Sequence, residues 1–271
     1  MPRRKKIVLA ALLAAAAAVA LLALDVRLAV RLYTVPTGKL DAPVRIALIT
    51  DFHGCNYGAG QAELLDPLRQ AQPDLVLLGG DIFDDVLPWD NTLELLDLLG
   101  AQYPCFYVSG NHEFWSGRAE EMKDALRERG VTVLEGGRTE VEVNGQAISL
   151  SGIDDPDAGA AYGGQLEAAA PAGEGFSILL AHRPERIGDY LPYGYDLVLS
   201  GHAHGGQWRI PGLLNGLWAP NAGLFPKYAG GLYTHGDTVH VVSRGLARET
   251  TRIPRLFNRP ELVLVDLVPA R

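Results

Sequence analysis

The sequence has few cysteines and few methionines, two of each in 271 residues. Two cysteines, Cys55 and Cys105, cannot form the disulfide framework that holds many small secreted domains together. One bridge between them stays open for a protein outside the cytoplasm, and the simpler interpretation is that both are small side chains in a packed interior. A charged content of only 21% beside 48% hydrophobic residues excludes a disordered chain and predicts one sizeable core.

Charge is also absent from Ile7 to Leu24, which is about the shortest apolar run that crosses a bilayer as a helix. The basic block Arg3-Arg4-Lys5-Lys6 precedes this run and favours a cytoplasmic N-terminus, with the rest of the chain outside the cytoplasm. We therefore predict a signal anchor over residues 1–24 and a single-pass protein of the cell membrane. A cleaved signal peptide, including one of the twin-arginine type, is the alternative.

Residues 25–43 are predicted to be a linker, because Pro36, Gly38 and Pro43 discourage a long helix. The remaining residues, 44–271, are predicted to form one domain. Beyond residue 24 the chain holds 20 basic residues against 32 acidic ones, a formal net charge of −12. A field of this sign repels nucleic acid, so no nucleic-acid polymer is expected as a partner.

The predicted domain alternates short apolar runs with segments of helical spacing, and Asn144-Gly145 between two alternating stretches indicates a β-hairpin. Alternation early in the chain and hairpins later predict an α/β (α+β) fold, in which two sheets pack face to face with helices outside. The strands that matter most for function are predicted at Val44–Thr50, Leu75–Leu78, Cys105–Val108, Phe176–Ala181 and Leu197–Ser200.

Each of these five strands ends at side chains that can bind a metal ion. The candidates are Asp51, His53, Asp81, Asn111, His182, His202 and His204. Because open sheets place their ligand sites beyond the carboxyl ends of strands, we expect the five loops to converge. Oxygen and imidazole ligands suit zinc, manganese or iron. Seven ligands exceed what one ion with an open position uses, so two divalent ions sharing a carboxylate are favoured. Their charge would let an acidic domain hold an anionic phosphoester.

The motifs Asp-x-His, Gly-Asp-x-x-Asp, Gly-Asn-His-Glu, a lone His after a strand, and Gly-His-x-His-Gly-Gly occur in this order. Together they resemble the calcineurin-like metallophosphoesterase superfamily, and the resemblance covers residues 44–268. It implies a two-sheet αββα sandwich of the metallophosphoesterase type. It also implies a dinuclear metal centre at which metal-bound hydroxide hydrolyses a phosphoester.

The resemblance also implies roles for individual residues. His112 matches the family's catalytic histidine, which is not a ligand, and Asp84 matches the carboxylate that orients this histidine. Glu113 either contacts Asn111 on the side away from the metal ions or lies on the surface. The seven metal ligands divide into three for the first ion (Asp51, His53 and His204), three for the second (Asn111, His182 and His202) and the bridging Asp81.

The N-terminal anchor and two tail motifs narrow the resemblance to the membrane-anchored bacterial phosphodiesterase branch. The motifs are Ser243-Arg244-Gly245-Leu246 and Pro254-x5-Pro260-Glu261-Leu262, although Ala247-Arg248-Glu249 departs from the branch's usual continuation. The branch acts on phosphodiesters, and some relatives cleave lipid-linked pyrophosphates. We therefore expect hydrolysis of a phosphodiester or pyrophosphate, with lipid-linked and cell-envelope compounds as candidate substrates.

Three alternatives remain: a phosphomonoesterase of the same fold, a metal-binding sensor without turnover, and a structural anchor domain. The presence of His112 and Asp84 argues against the sensor, because a site without turnover need not keep its acid. An aromatic group after the His pair either packs in the interior or forms an apolar wall for a lipid or sugar. It comprises Trp208, Trp218, Phe225 and Tyr228.

Overall fold

The computed structural model describes residues 2–248 and 253–270. The helices are α1 (Arg3–Ala23), α2 (Ala62–Ala71), α3 (Asp90–Gly100), α4 (Asn111–Trp115), α5 (Ala119–Arg127), α6 (Ala161–Ala168) and α7 (Ile187–Tyr190). The first strands are β1 (Ala29–Thr37), β2 (Val44–Ile49), β3 (Leu75–Gly79), β4 (Cys105–Val108), β5 (Thr132–Val133), β6 (Arg138–Val143) and β7 (Gln146–Gly152). The later ones are β8 (Phe176–Leu180), β9 (Leu197–Ser200), β10 (Trp218–Ala219), β11 (Gly223–Leu224), β12 (Gly231–His235), β13 (Thr238–Val242) and β14 (Glu261–Pro269).

The strands form two six-stranded sheets and a small two-stranded ribbon of β10 and β11. The first sheet has the order β1-β14-β2-β3-β4-β5, and the second has the order β12-β13-β9-β8-β7-β6. Within the first sheet β2, β3, β4 and β5 are parallel, and within the second β7, β8, β9 and β13 are parallel. The carboxyl ends of parallel neighbours lie at the same edge of each sheet, which brings their following loops together.

The alternation of side chains along the strands builds the layers. In β2, Ile46 and Leu48 belong to a core that also contains Ile178 and Leu199 of the second sheet. Ala47 and Ile49 point the other way, into a core shared with α2, α3 and α5. A third cluster packs the outer face of the second sheet against α6 and α7. The predicted αββα arrangement of two sheets between helices is therefore confirmed.

Two local predictions illustrate how the sequence specifies this fold. Asn144 and Gly145 both have positive φ angles, 52° and 76°, as the tight hairpin between β6 and β7 requires. Cys55 and Cys105 are both buried in the core between the first sheet and its helices. Their burial agrees with the interpretation of small side chains in a packed interior.

The predicted linker over residues 25–43 needs a correction, because residues 29–37 form the edge strand β1. This strand pairs in parallel with β14 along its whole length, from Ala29 opposite Glu261 to Thr37 opposite Pro269. Pro36 lacks an N–H and discourages a helix, but an edge strand tolerates it. The folded domain therefore begins only a few residues after α1.

Helix α1 stands outside the layers, and nearly all its side chains are exposed. Among residues 2–248 and 253–270 it is the single helix long and apolar enough to cross a membrane, and a signal sequence near an N-terminus has the same character. Its last residue, Ala23, accepts a hydrogen bond of 2.7 Å from the N–H of Phe257. The end of the helix is thus held against the domain.

Candidate metal centre

The loops after β2, β3, β8 and β9 bring six of the seven predicted ligands into two adjoining clusters. In each cluster the ligand atoms lie within 4.8 Å of one another. The clusters are Asp51, His53, Asp81 and His204, and then Asp81, His182 and His202. Asp81 belongs to both clusters. Its Oδ2 lies 3.7 Å from Nε2 of His53 and 3.1 Å from Nε2 of His182, so one carboxylate oxygen faces both halves of the site.

The seventh predicted ligand, Asn111, begins α4 directly after the β4 loop and is buried. It lies beside Asp81, because the N–H of the next residue, His112, donates to Asp81 Oδ1 at 2.9 Å. Asp51 is held in the same manner, since its Oδ1 accepts the N–H of His202 at 2.9 Å. Each aspartate therefore has one oxygen fixed by backbone and the other turned into the site.

The atoms that face the centre lack partners. Within the part of the chain that the structure describes, buried ligand atoms on five of the seven candidates make no hydrogen bond. They are Asp51 Oδ2, His53 Nε2, Asn111 Oδ1, His182 Nε2 and His204 Nδ1. Of these, His182 Nε2 still makes the close ion-pair contact of 3.1 Å with Asp81 Oδ2. A buried polar atom without a partner costs about 1–3 kcal/mol, and five together at one point are what a site for bound cations requires. The donor set of carboxylate, amide oxygen and imidazole fits divalent ions.

The far side of three histidines is hydrogen-bonded, which fixes which nitrogen faces the centre. Nδ1 of His182 donates to the Gly79 carbonyl oxygen at 2.8 Å. Nδ1 of His53 lies 3.2 Å from Asp84 Oδ2, and Nε2 of His202 lies 3.1 Å from Asn221 Oδ1. Such outer partners orient metal-binding imidazoles and hold the free nitrogen toward the ion.

Burial and neighbouring charges set the protonation of the site. Burial, followed by the positive charge of His182, lowers the pKa of His202 well below its ordinary value. Burial and His53 do the same to the pKa of His204. At His182, despite its burial, the carboxylates of Asp81 and Asp51 act in the opposite direction and raise the pKa to about 10. Burial alone would raise the pKa of Asp81, but His182 and His53 hold it well below the ordinary value.

The loops that carry these residues have unusual backbones. Asp51, His53, Asp81, His202 and His204 all have positive φ angles, between 45° and 62°. Such conformations cost about 1–3 kcal/mol each and concentrate at functional sites, where the surrounding structure enforces them.

Two glycines also permit close approach to the carboxylates. A Cβ on Gly110 would overlap the carboxylate of Asp81, and a Cβ on Gly245 would overlap that of Asp51. This explains one glycine of the tail motif. Arg248 of the departing tail is half-buried, and Glu249 lies outside the described residues.

Glu113 organises two of the loops, a role that the sequence left open. Its buried carboxylate accepts N–H groups from Asp81, Ile82, Phe83 and Gly110 at 2.8–3.1 Å. It therefore joins the loop after β3 to the loop after β4. Burial, with the nearby charge of Asp81, raises the pKa of Glu113 to about 7.

The predicted partner of His112 needs a correction. Nδ1 of His112 lies 2.6 Å from Asp85 Oδ1 but 3.7 Å from Asp84 Oδ2. Asp84 instead lies against His53 and accepts the N–H groups of Val86 and Leu87, each at 3.0 Å. Asp85, to which no role was assigned from the sequence, is thus the carboxylate that contacts the His112 ring. Spacing alone cannot separate two adjacent aspartates, because the path of the loop decides which carboxylate reaches which ring.

A cleft of about 1070 Å³ opens over His53, His112 and His204. Trp218 lines it, together with the exposed Val86, Trp115 and Ile253. The predicted aromatic group is therefore divided. Trp218 belongs to the cleft wall, whereas Tyr228 packs in an edge-to-face contact against Tyr233. Trp208 and Phe225 are exposed, at 41% and 65%.

A family model described as calcineurin-like phosphoesterase matches residues 44–206. The chain is 31% identical over 210 residues to the uncharacterized metallophosphoesterase YkuE of Bacillus subtilis. The alignment covers 74% of this chain and 70% of the relative. It is 30% identical over 236 residues to the phosphodiesterase YaeI of Escherichia coli, covering 84% and 83%. The NAD nucleotidase NadN of Haemophilus influenzae shares the fold, with a TM-score of 0.50 at 16% identity over 76% of this chain and 46% of that one.

The chain therefore belongs to the calcineurin-like metallophosphoesterase family. It is a metal-dependent phosphoric ester hydrolase, as the order of the motifs predicts. The family uses divalent metal ions, and the two adjoining clusters of unpartnered ligand atoms fit that requirement.

Proposed function

We propose that the chain is a membrane-anchored phosphodiesterase with two divalent metal ions, manganese, zinc or iron. Asp51, His53 and His204 would hold the first ion, and Asp81 would bridge to the second. Asn111, His182 and His202 would complete the second site. The observation that carries this proposal is the set of five unpartnered buried atoms, which belong to candidate ligands of both ions. The bound ions would supply positive charge for the phosphoryl oxygens and acidify the attacking water.

Around those ions, the chain's own residues would position the ester and move a proton. Asp85 accepts the Nδ1–H of His112 and fixes the ring, so that Nε2 is the nitrogen left to carry a proton to the leaving oxygen. The His112 side chain is 24% exposed and lines the cleft, where a substrate can reach it. Asp84 and Asn221 would hold ligand histidines in place from outside.

The cleft favours diesters over monoesters. Within the part of the chain that the structure describes, its lining contains no lysine or arginine, whereas Asp84, Asp85 and Asp90 line it. A dianionic monoester would therefore find no guanidinium or ammonium group there to balance its second charge. A monoanionic diester suits this lining better, and a cleft of about 1070 Å³ has room for a substituent on each side of the phosphate. The similarity to a protein named phosphodiesterase agrees with this choice.

The experiment compares two chromogenic esters on the full chain in detergent, loaded in turn with manganese, zinc and iron. Bound metal is counted by elemental mass spectrometry. We expect two ions per chain and faster hydrolysis of bis(p-nitrophenyl) phosphate than of p-nitrophenyl phosphate. Faster hydrolysis of the monoester would support the phosphomonoesterase instead. Two bound ions without turnover of either ester would support the sensor.

The anchoring proposal rests on the exposed apolar helix α1 and the basic residues at its start. The domain would lie outside the cytoplasm, where lipid-linked and cell-envelope phosphoesters are candidate substrates. A reporter that is active only outside the cytoplasm, fused after Arg271, tests the orientation. An inactive fusion at full expression would contradict it.

A further inference from the structure

Hydrogen bonds hold the end of α1 and the residues after it directly against the domain. Besides the bond from Phe257 to Ala23, the guanidinium of Arg259 donates to the carbonyl oxygens of Arg27 at 2.7 Å and Leu28 at 2.6 Å. Strand β1 then starts at once and pairs with β14. If α1 crosses the bilayer, as proposed above, the residues around Phe257 lie at the membrane surface.

A pocket of about 400 Å³ lies at this junction, and Phe257 forms part of its wall. Three arginines line it: Arg31 from β1, Arg209 from the loop after β9, and Arg244 from the segment after β13. We call this site the arginine pocket. One buried carboxylate, Glu261, faces them, with its Oε2 3.1 Å from Nε of Arg244 and 3.9 Å from Nε of Arg31.

Positive charge is therefore in excess in the arginine pocket. Among residues 2–248 and 253–270, three guanidiniums face one carboxylate, that of Glu261, in a domain whose overall charge is strongly negative. Burial, and then the neighbouring charge of Arg244, lower the pKa of Arg209 to about 10. The side chain of Arg31 remains about half exposed, so its guanidinium is available to a ligand.

The rim of the arginine pocket is apolar. Ile210 and Leu213 line the pocket and are 49% and 82% exposed. Large apolar side chains grouped at the surface mark sites of association. An apolar rim around a cationic pocket, at the point where a helix enters a membrane, complements a phospholipid, whose phosphate lies directly above its acyl chains.

We propose that the arginine pocket binds the phosphate group of an anionic phospholipid in the membrane that α1 enters. Guanidinium groups donate paired hydrogen bonds to phosphate oxygens, and Ile210 and Leu213 would enter the acyl region beside the headgroup. The site is separate from the metal centre and does not involve hydrolysis. It rests only on the anchoring part of the proposed function.

The test uses the full chain in neutral detergent micelles, titrated with dioctanoyl phosphatidylglycerol, dioctanoyl phosphatidylcholine or inorganic phosphate. Native mass spectrometry counts the bound molecules. We expect one phosphatidylglycerol per chain, bound at least tenfold more tightly than phosphatidylcholine or inorganic phosphate. Arg31→Gln should weaken its binding about fivefold, which is the usual contribution of one basic residue at an anionic surface. Arg138→Gln, at the opposite edge of the second sheet, is the matched control and should have no effect.

Two further variants guard against misfolding and against binding at the wrong site. Leu213→Ser changes a highly exposed side chain and should weaken the binding of both lipids without affecting the fold. Asp81→Asn alters the metal centre and should leave phosphatidylglycerol binding intact, while Arg31→Gln should leave hydrolysis of the chromogenic diester intact. The proposal is overturned if the two lipids bind equally, or if inorganic phosphate competes as well as the lipid. It is also overturned if Asp81→Asn abolishes lipid binding, which would place the lipid at the metal centre.

Discussion

The metal centre and the arginine pocket lie at the two ends of one short loop and have opposite chemistry. His204 opens the loop as a candidate metal ligand, and Arg209 closes it at the pocket, with its guanidinium bonded to the Gly205 carbonyl oxygen at 3.2 Å. The first site is a buried group of ligand atoms that lack hydrogen-bond partners, which suits bound cations. The second is a partly exposed group of three arginines, whose positive charge suits a bound anion.

If α1 crosses a membrane, as we propose, this contrast would let an acidic hydrolase stay close to an anionic surface. Segment 254–258 connects the two sites, because Phe257 bonds the end of α1 and Asn258 donates to the His204 carbonyl oxygen at 2.7 Å. The arginine pocket would neutralise the membrane surface locally, while the metal ions would neutralise the substrate. The two sites should therefore be separable by mutation.

The largest expected effect is that of Asp81→Asn. The substitution replaces the proposed bridging carboxylate by a neutral amide, so the protein should lose at least one ion and most of its diesterase activity. Elemental analysis and hydrolysis assays measure both. Asp237→Asn in an exposed turn is the control for loss of one carboxylate. Full metal content with near-normal turnover in Asp81→Asn would rule out a dinuclear centre built around this residue.

His112→Ala comes next and separates acid catalysis from metal binding. Both ions and the fold should remain, while turnover falls by about 10²–10⁴-fold, the usual contribution of a general acid. The loss should be larger for a diester with an alkyl alcohol leaving group than for one with nitrophenolate, which leaves without a proton. Equal losses for both leaving groups would contradict the proton-transfer role, and loss of metal would make His112 a ligand.

A pair of truncations tests the junction between the two regions. Deleting residues 1–24 should give a soluble, metal-loaded protein that retains β1 and Arg31. Deleting residues 1–40 also removes β1 with the buried Val35, and should lower the free energy of unfolding by about 2 kcal/mol or more. Urea denaturation measures the difference. Equal stability of the two truncated proteins would show that β1 is dispensable to the domain.

The smallest expected effect distinguishes the two adjacent aspartates. Asp85→Asn should lower turnover about tenfold with both ions retained, because a charge-assisted hydrogen bond contributes roughly 1.5 kcal/mol. Asp84→Asn should instead weaken metal retention about tenfold, since it removes the outer partner of His53. Metal titrations alongside rate measurements separate the two outcomes. The reverse pattern would restore Asp84 as the residue that orients His112.

The sequence alone predicted the two-sheet fold and the convergence of the seven candidate ligands. Both signals are local: a short apolar run specifies each buried strand, and the polar motif after it is fixed at the strand's carboxyl end. The parallel pairing of β2, β3 and β4 then forces the motifs to one edge. Glu113 was singled out but not placed, because its four N–H donors come from two loops that only the fold brings together.

Other features depend on contacts between distant parts of the chain. Strand β1 contains β-forming residues such as Tyr33, Thr34 and Val35, but Pro36 and Gly38 beside them favoured a linker. It is a strand because β14, at the other end of the chain, offers it an edge. The choice between Asp84 and Asp85 as the partner of His112 depends on the path of one loop. No sequence motif predicts the arginine pocket, because Arg31, Arg209 and Arg244 belong to three distant segments and their spacing in the sequence does not show that they meet. Charge in a sequence is a sum over residues, whereas binding depends on where the folded chain places those residues.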